Sequence, residues 1–326
     1  MAEHRHGTPH RIDTHHHILP PAYVAEERQR ILDAAVLVPP DFLDWTPRRS
    51  LDEMDKNGVA TAISSISTPG VYFGNKEQGR RLARGCNEYG ARMAQDFPGR
   101  FGMFAAIPLP DIEGSLREIE YALDALKLDG IGLMTSYGDK WPGDPAFAPI
   151  FDELNRRKSV VYFHPTQAVC CPSMPDISPA LIEYPTDTTR TIVSLLFSGT
   201  FSRCPDLRFI FSHGGGTLPM IMMRIVGSMN RPAMKEIAAR IPKGVMHELH
   251  RQYYDTASVA TPPAMAILSK LLPMSQILFG SDYPFWPIAW IADNLQKLEL
   301  SPADLRAIER ENALRLFPKY EKVVAG

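Results

Sequence analysis

Three segments of this chain, Val160-Val161-Tyr162-Phe163, Phe209-Ile210-Phe211 and Ile277-Leu278-Phe279, are apolar at every position. A strand with one wet face alternates apolar and polar side chains, so an unbroken apolar run belongs to a strand covered on both faces. Such runs recur along the chain with helix-like stretches between them. Strands are expected at 11–17, 60–67, 100–108, 130–135, 159–164, 207–213, 252–258 and 276–282. Helical patterns fall at about 51–58, 76–97, 112–126, 147–157, 187–201 and 263–271, with another from Leu218 and a C-terminal helix over 302–316. Eight strands alternating with helices predict an α/β fold, a (β/α)8 TIM barrel in a single domain. An open doubly wound sheet fits less well. Its first strand would lead into a glycine-rich phosphate loop, whereas here it leads into His and Pro.

The barrel is assigned to residues 11–326, a length of chain that suits one large α/β unit with ample core, given 44% hydrophobic and 22% charged residues in 326. A Pro-rich, irregular insertion after the first strand, at about 18–50, is expected to cover one end of the fold. Residues 1–10 form a polar leader, expected to be disordered, in which His4, His6 and His10 are tail residues. A formal net charge of −2 gives no reason to expect nucleic acid or an acidic membrane as partner. Neither a signal peptide nor a membrane-length apolar run is evident. Cys86, Cys170, Cys171 and Cys204 lack metal-ligand spacing and read as reduced thiols, hence a cytoplasmic protein.

Function is concentrated where the strands end. In Arg11-Ile12-Asp13-Thr14-His15-His16-His17, side-chain alternation points His15 and His17 one way and His16 the other. The fifth strand finishes at His164, the sixth at His213 followed by Gly214-Gly215-Gly216, the eighth at Asp282. Any one of these is ordinarily a structural histidine or a turn-forming aspartate. In a barrel, however, all four strand ends meet on the C-terminal face, where this fold builds its active sites. Three imidazoles and a carboxylate hold a divalent cation while leaving a position open. His15, His17, His164 and Asp282 are the expected metal ligands, with His213 an acid/base or a further ligand.

The segments Ile12-Asp13-Thr14-His15-His16-His17-Ile18-Leu19-Pro20, Tyr162-Phe163-His164-Pro165, Phe211-Ser212-His213-Gly214-Gly215-Gly216 and Phe279-Gly280-Ser281-Asp282-Tyr283-Pro284 resemble the amidohydrolase superfamily. More closely, they are similar to its aminocarboxymuconate-semialdehyde decarboxylase branch, over about 11–318. The resemblance implies a metal-dependent, non-oxidative decarboxylase. It implies the same ligand set, with His213 facing the metal centre. It also points to Arg224, at the spacing of an arginine that reaches the neighbouring subunit's site, and so to a homodimer. The branch's second carboxylate-binding arginine precedes a Glu-Met-Asp segment. Before Glu53-Met54-Asp55 this chain has Ser50, with Arg48 and Arg49 slightly upstream. That departure argues against a dicarboxylate. The bridging lysine of two-metal relatives would come from the fourth strand, which reads Gly-Ile-Gly-Leu-Met-Thr, so a single ion is expected.

An ortho-hydroxylated, salicylate-like aromatic acid is therefore the expected substrate. Tyr72, Phe73, Trp141, Phe285 and Trp286 follow strand ends, where two of them are expected to contact the ring. The ring carbon must be protonated as CO₂ leaves, by Asp282 or by His213. Zn²⁺ ranks ahead of Mn²⁺ as the ion, and no organic cofactor is required. The rival reading is a hydrolase of a lactone or amide on the same ligands.

Overall fold

A computed structural model describes residues 10–171 and 174–324; His4 and His6 of the leader lie outside these. Eight parallel strands follow one another around a sheet in sequence order: β1 Arg11–His17, β2 Val59–Ser65, β3 Phe101–Ala106, β4 Gly130–Met134, β5 Val160–His164, β6 Arg208–Phe211, β7 Tyr253–Asp255 and β8 Ile277–Leu278. The backbone closes the ring, since Thr14 N–H donates to Phe279 O at 2.9 Å and His17 N–H to Tyr283 O at 2.7 Å. This is the expected (β/α)8 barrel.

Its core has two parts. Inside the ring, Ile12, Ile63, Phe104, Tyr162, Ile210 and Leu278 meet, and Phe317 and Tyr320 of the C-terminal segment join them. Those two residues pack at the end of the barrel where the strands begin, Tyr320 lying against Gly102 near the start of β3. Outside the ring, Ile131, Leu133, Val161, Phe163, Phe209 and Phe211 face the helices. Phe163 and Phe211 stack with ring centroids 5.4 Å apart. Adjacent positions of one strand thus serve opposite layers, which is why the runs are apolar throughout.

The stretch 18–50 is more ordered than its composition suggests. It contains the helix α1, Pro21–Ala34, and a 3₁₀ turn at Pro40–Asp44. Pro20-Pro21 opens α1 as well as ending β1, because proline fits the first helical position. The next helix, α2, runs Pro47–Lys56, starting four residues before the expected residue 51, and its cap is Thr46, whose Oγ1 accepts from Arg49 N–H at 3.2 Å. Ser50 is buried, its hydroxyl bonded to Trp45 Nε1 (2.9 Å) and His16 Nε2 (3.0 Å). Further along come α3 Lys76–Asp96, α4 Ile112–Glu120, α5 Ala148–Arg156 and α6 Pro179–Phe197. The last starts eight residues before the expected Asp187, running through Pro185. Ile288–Lys297 is a helix that sequence periodicity did not reveal, and the C-terminal helix is interrupted by a π turn at Ala307–Glu311. No helix among the described residues is long and apolar enough to cross a membrane.

His10, assigned to the disordered leader, is in place: its Nε2 lies 2.9 Å from Glu309 Oε2, and Arg11 reaches Glu309 Oε1 at 2.7 Å.

Candidate metal centre

Interior facing is not given to His15 and His17 by alternation alone. Ile12 points into the barrel, so regular alternation would send His15 and His17 outward. A register irregularity between Asp13 and His16 reverses the parity and turns both inward. Asp13 holds this kink, accepting from His15 N (3.1 Å), Ser281 N (3.0 Å) and Ser281 Oγ (2.6 Å). His16 points the other way, bonded to Asp13 Oδ2 at 3.1 Å and packed on the Tyr283 ring.

His15, His17, His164 and Asp282 each bring one ligand atom into a group whose members all lie within 4.8 Å of one another, and all four are buried. Asp282 Oδ1 is 3.2 Å from His15 Nε2 and 3.1 Å from His17 Nε2. His164 gives its Nδ1 hydrogen to Pro165 O at 3.0 Å, which leaves the lone pair on Nε2. His17 Nδ1 rests against Ser65 Oγ at 3.1 Å. His213 follows β6 and reaches the group only because its φ of 54° swings the side chain inward, Nε2 lying 3.3 Å from Asp282 Oδ2. Asp282 also lies in the left-handed region, at φ 65°. Two of the six non-glycine residues that lie in that sparsely populated region, among the described residues, thus meet at one site.

Burial and mutual repulsion keep the His17 and His164 imidazoles neutral. His17 is pulled down to about 4 by desolvation, and His164 is held well below the ordinary range by desolvation and by His17 and His15. His15 moves the other way, to about 10: burial opposes the charge, but Asp255 and Asp282 outweigh it. Burial would raise Asp282, yet His15 and the surrounding hydrogen bonds hold it well below the usual carboxylate range. Neutral imidazoles at His17 and His164 beside an ionised Asp282 are the donor state that a divalent cation requires, and His15, held protonated by two carboxylates, would release its Nε2 hydrogen as the ion binds, so the set fits one ion.

A cavity of about 580 Å³ opens over the group, reaching His164, His213 and Asp282. Its walls include Val36, Leu37, Leu181, Tyr184, Phe285 and Trp286, and no lysine or arginine among the described residues lines it. Phe285 also meets the His17 ring edge-on at 5.4 Å. The other aromatic candidates are engaged elsewhere. Tyr72 lines a neighbouring cavity of about 510 Å³, separated from this one by a hydrogen bond of 3.1 Å between Thr68 and Thr166. Arg30 covers the Phe73 ring at 4.6 Å, and the Trp141 indole donates to Asp187 at 2.8 Å. Arg224 is exposed on the helix Leu218–Ser228, away from this cavity. Arg48 pairs with Asp52 at 2.9 Å and Arg49 reaches Asp41 O at 3.4 Å, both at the surface. The sequence reading missed Asp255, the end of β7, whose carboxylate bonds His15 Nδ1 at 2.8 Å. The signal was present, an acidic residue directly after the apolar pair Tyr253-Tyr254, as Asp282 follows the run of β8.

Residues 12–319 match the family model described as amidohydrolase. The chain is 37% identical to decarboxylase yanB of Aspergillus niger, covering 95% of this chain and 88% of that protein. It is 33% identical to the 6-methylsalicylic acid decarboxylase of Penicillium expansum, covering 96% and 98%. Among solved structures, the 5-carboxyvanillate decarboxylase of Novosphingobium aromaticivorans, complexed with manganese and a nitrobenzoic acid, superposes with a TM-score of 0.84 at 21% identity, covering 96% and 97%.

Proposed function

Because the chain belongs to the amidohydrolase family, and its curated relatives at 33–37% identity are decarboxylases, we infer that it is a metal-dependent carboxy-lyase acting on an ortho-hydroxylated, salicylate-like aromatic acid. The observation that carries this reading is the cavity: an apolar, aromatic-walled space that no lysine or arginine among the described residues lines, ending on His164, His213 and Asp282 beside the buried ligand group. An aromatic monocarboxylate suits it, since a second carboxylate would find no cationic side chain among the described residues there.

His15, His17, His164 and Asp282 would hold one divalent cation. When bound, the cation supplies Lewis-acid charge to the carboxylate and adjacent hydroxyl of the acid. The remaining work falls to side chains. Phe285 and Trp286 flank the ring and keep water from it, and Val36, Leu37 and Leu181 accept apolar ring substituents. The proton for the ring carbon passes through the Asp282–His213 pair, whose Oδ2 and Nε2 are 3.3 Å apart at the cavity floor. Imidazole-rich donors suit Zn²⁺, our assignment, while the fold neighbour's manganese supports Mn²⁺ as its competitor. Arg224 sits among exposed Met220, Ile221 and Met223, a patch that supports a homodimer. The free state of the cysteines supports a cytoplasmic setting.

The test is CO₂ release from a panel of hydroxybenzoates by metal-loaded protein, beside a panel of lactones and amides. Release of CO₂ from a ring-alkylated salicylic acid, abolished by chelation, is expected. Hydrolysis with every hydroxybenzoate inert would overturn the assignment.

A further inference from the structure

We propose that Asp255 is the positioning residue of this centre, a single carboxylate that fixes which nitrogen of His15 faces the ligand group and where the main chain of His213 runs. The inference rests on the metal-centre reading above.

Asp255 is fully buried at the end of β7. Its two oxygens divide the work. Oδ2 lies 2.8 Å from His15 Nδ1, while Oδ1 accepts from His213 N–H at 2.9 Å and Ala257 N–H at 3.0 Å. An ionised carboxylate only accepts, so His15 Nδ1 must carry the hydrogen. Nε2 then faces Asp282 Oδ1 and His17 Nε2, and it is this nitrogen whose lone pair enters the ligand group once a cation displaces its hydrogen. The bond to His213 N–H anchors a residue whose φ of 54° is otherwise unfavourable, and this conformation brings the imidazole to Asp282.

Space enforces the pairing. A Cβ at Gly280 would stand 2.8 Å from the Cβ atoms of both Asp255 and His15. The two side chains therefore meet across a slot that only glycine leaves open. His17 and His164 lean on a hydroxyl and a carbonyl, neither of which reaches a second member of the site. Among the described residues Asp255 alone joins an expected ligand to the backbone of the expected acid/base, so losing it disturbs both at once.

Asp255→Asn separates this role from simple space filling. Asparagine has the same shape but one acceptor oxygen. With that oxygen kept on the two main-chain donors, its NH₂ faces His15 Nδ1 and demands that this nitrogen accept. The ring hydrogen then moves to Nε2, where it blocks the ligand position. Titrated with Co²⁺, the wild-type protein is expected to bind one ion, and D255N to bind 10- to 100-fold more weakly with an altered visible absorption spectrum. Wild-type affinity and spectrum in D255N would overturn the inference while leaving the metal centre intact. Failure of the wild type to take up Co²⁺ would overturn the metal centre itself. Should D255N not fold, a crystal structure of Co²⁺-loaded wild type decides. Nε2 of His15 on the metal with Nδ1 on Asp255 supports the assignment, and contact through Nδ1, or Asp255 turned away, refutes it.

Discussion

His15, His16 and His17 are consecutive and all fully buried, yet their surroundings give them different work. His15 and His17 meet Asp282, whereas His16 bonds Asp13 and Ser50 in the layer between β1 and α2. Replacing His164 by alanine should abolish metal uptake and activity together, read by elemental analysis of purified protein. His16→Ala should keep the metal but lose about 2 kcal/mol of stability, since it strands Asp13 and Ser50 in a dry layer; equal metal loss at both positions would contradict the division. His213→Ala should retain metal and fold while lowering kcat by about 10²–10⁴, the usual worth of a positioned acid/base. Stopped-assay CO₂ measurements on the metal-loaded variant check it.

The elements are tied where loops alone would leave them loose. Arg11 at the start of β1 and His10 before it converge on Glu309 in the π turn Ala307–Glu311, and the Glu309 side chain is only 4% exposed. Burial pushes this carboxyl up, but the bonds from His10 and Arg11 and the Arg11 charge more than offset it, leaving its pKa below the ordinary value. A carboxyl depressed in the folded state stabilises the fold fully above its unfolded pKa, and that contribution is lost as pH falls through the folded value. Glu309→Ala should therefore cost about 3 kcal/mol at neutral pH. The gap to wild type should narrow below about pH 4 in denaturant titrations. A gap that is constant with pH would assign the loss to packing alone. Gly280→Ala tests the approach of β8 to β1 and β7. Its methyl has no room between His15 and Asp255, so both stability and metal content should drop.

Across the whole molecule, the barrel separates stability from chemistry by its two ends. Phe317 and Tyr320 seal one, and the ligand group and its cavity occupy the other. Exposed Met220, Ile221 and Met223 lie on one helix with Arg224. If that surface joins two copies, the protein should sediment as a dimer, and Arg224→Glu should shift it toward monomer; a wild-type monomer with full activity would refute the assignment.

Much of this architecture was legible in the sequence because strands buried on both faces must be apolar throughout, and polar residues at their ends then stand out. His15, His17, His164, His213 and Asp282 were singled out that way, while the missing arginine before Glu53-Met54-Asp55 was read from the family resemblance. The order hidden in 18–50 was less legible, because its prolines read as breakers although two of them begin helices. Only the tertiary structure decided which aromatic rings face the cavity, for that depends on loop paths with no period to read. It also decided that Asp255 holds His15, a partnership across 240 residues that only the closing of the barrel creates. The inward turn of the first-strand histidines was likewise beyond the sequence. Alternation specifies which residues share a face, but a one-residue irregularity, anchored by a buried aspartate, specifies which face that is.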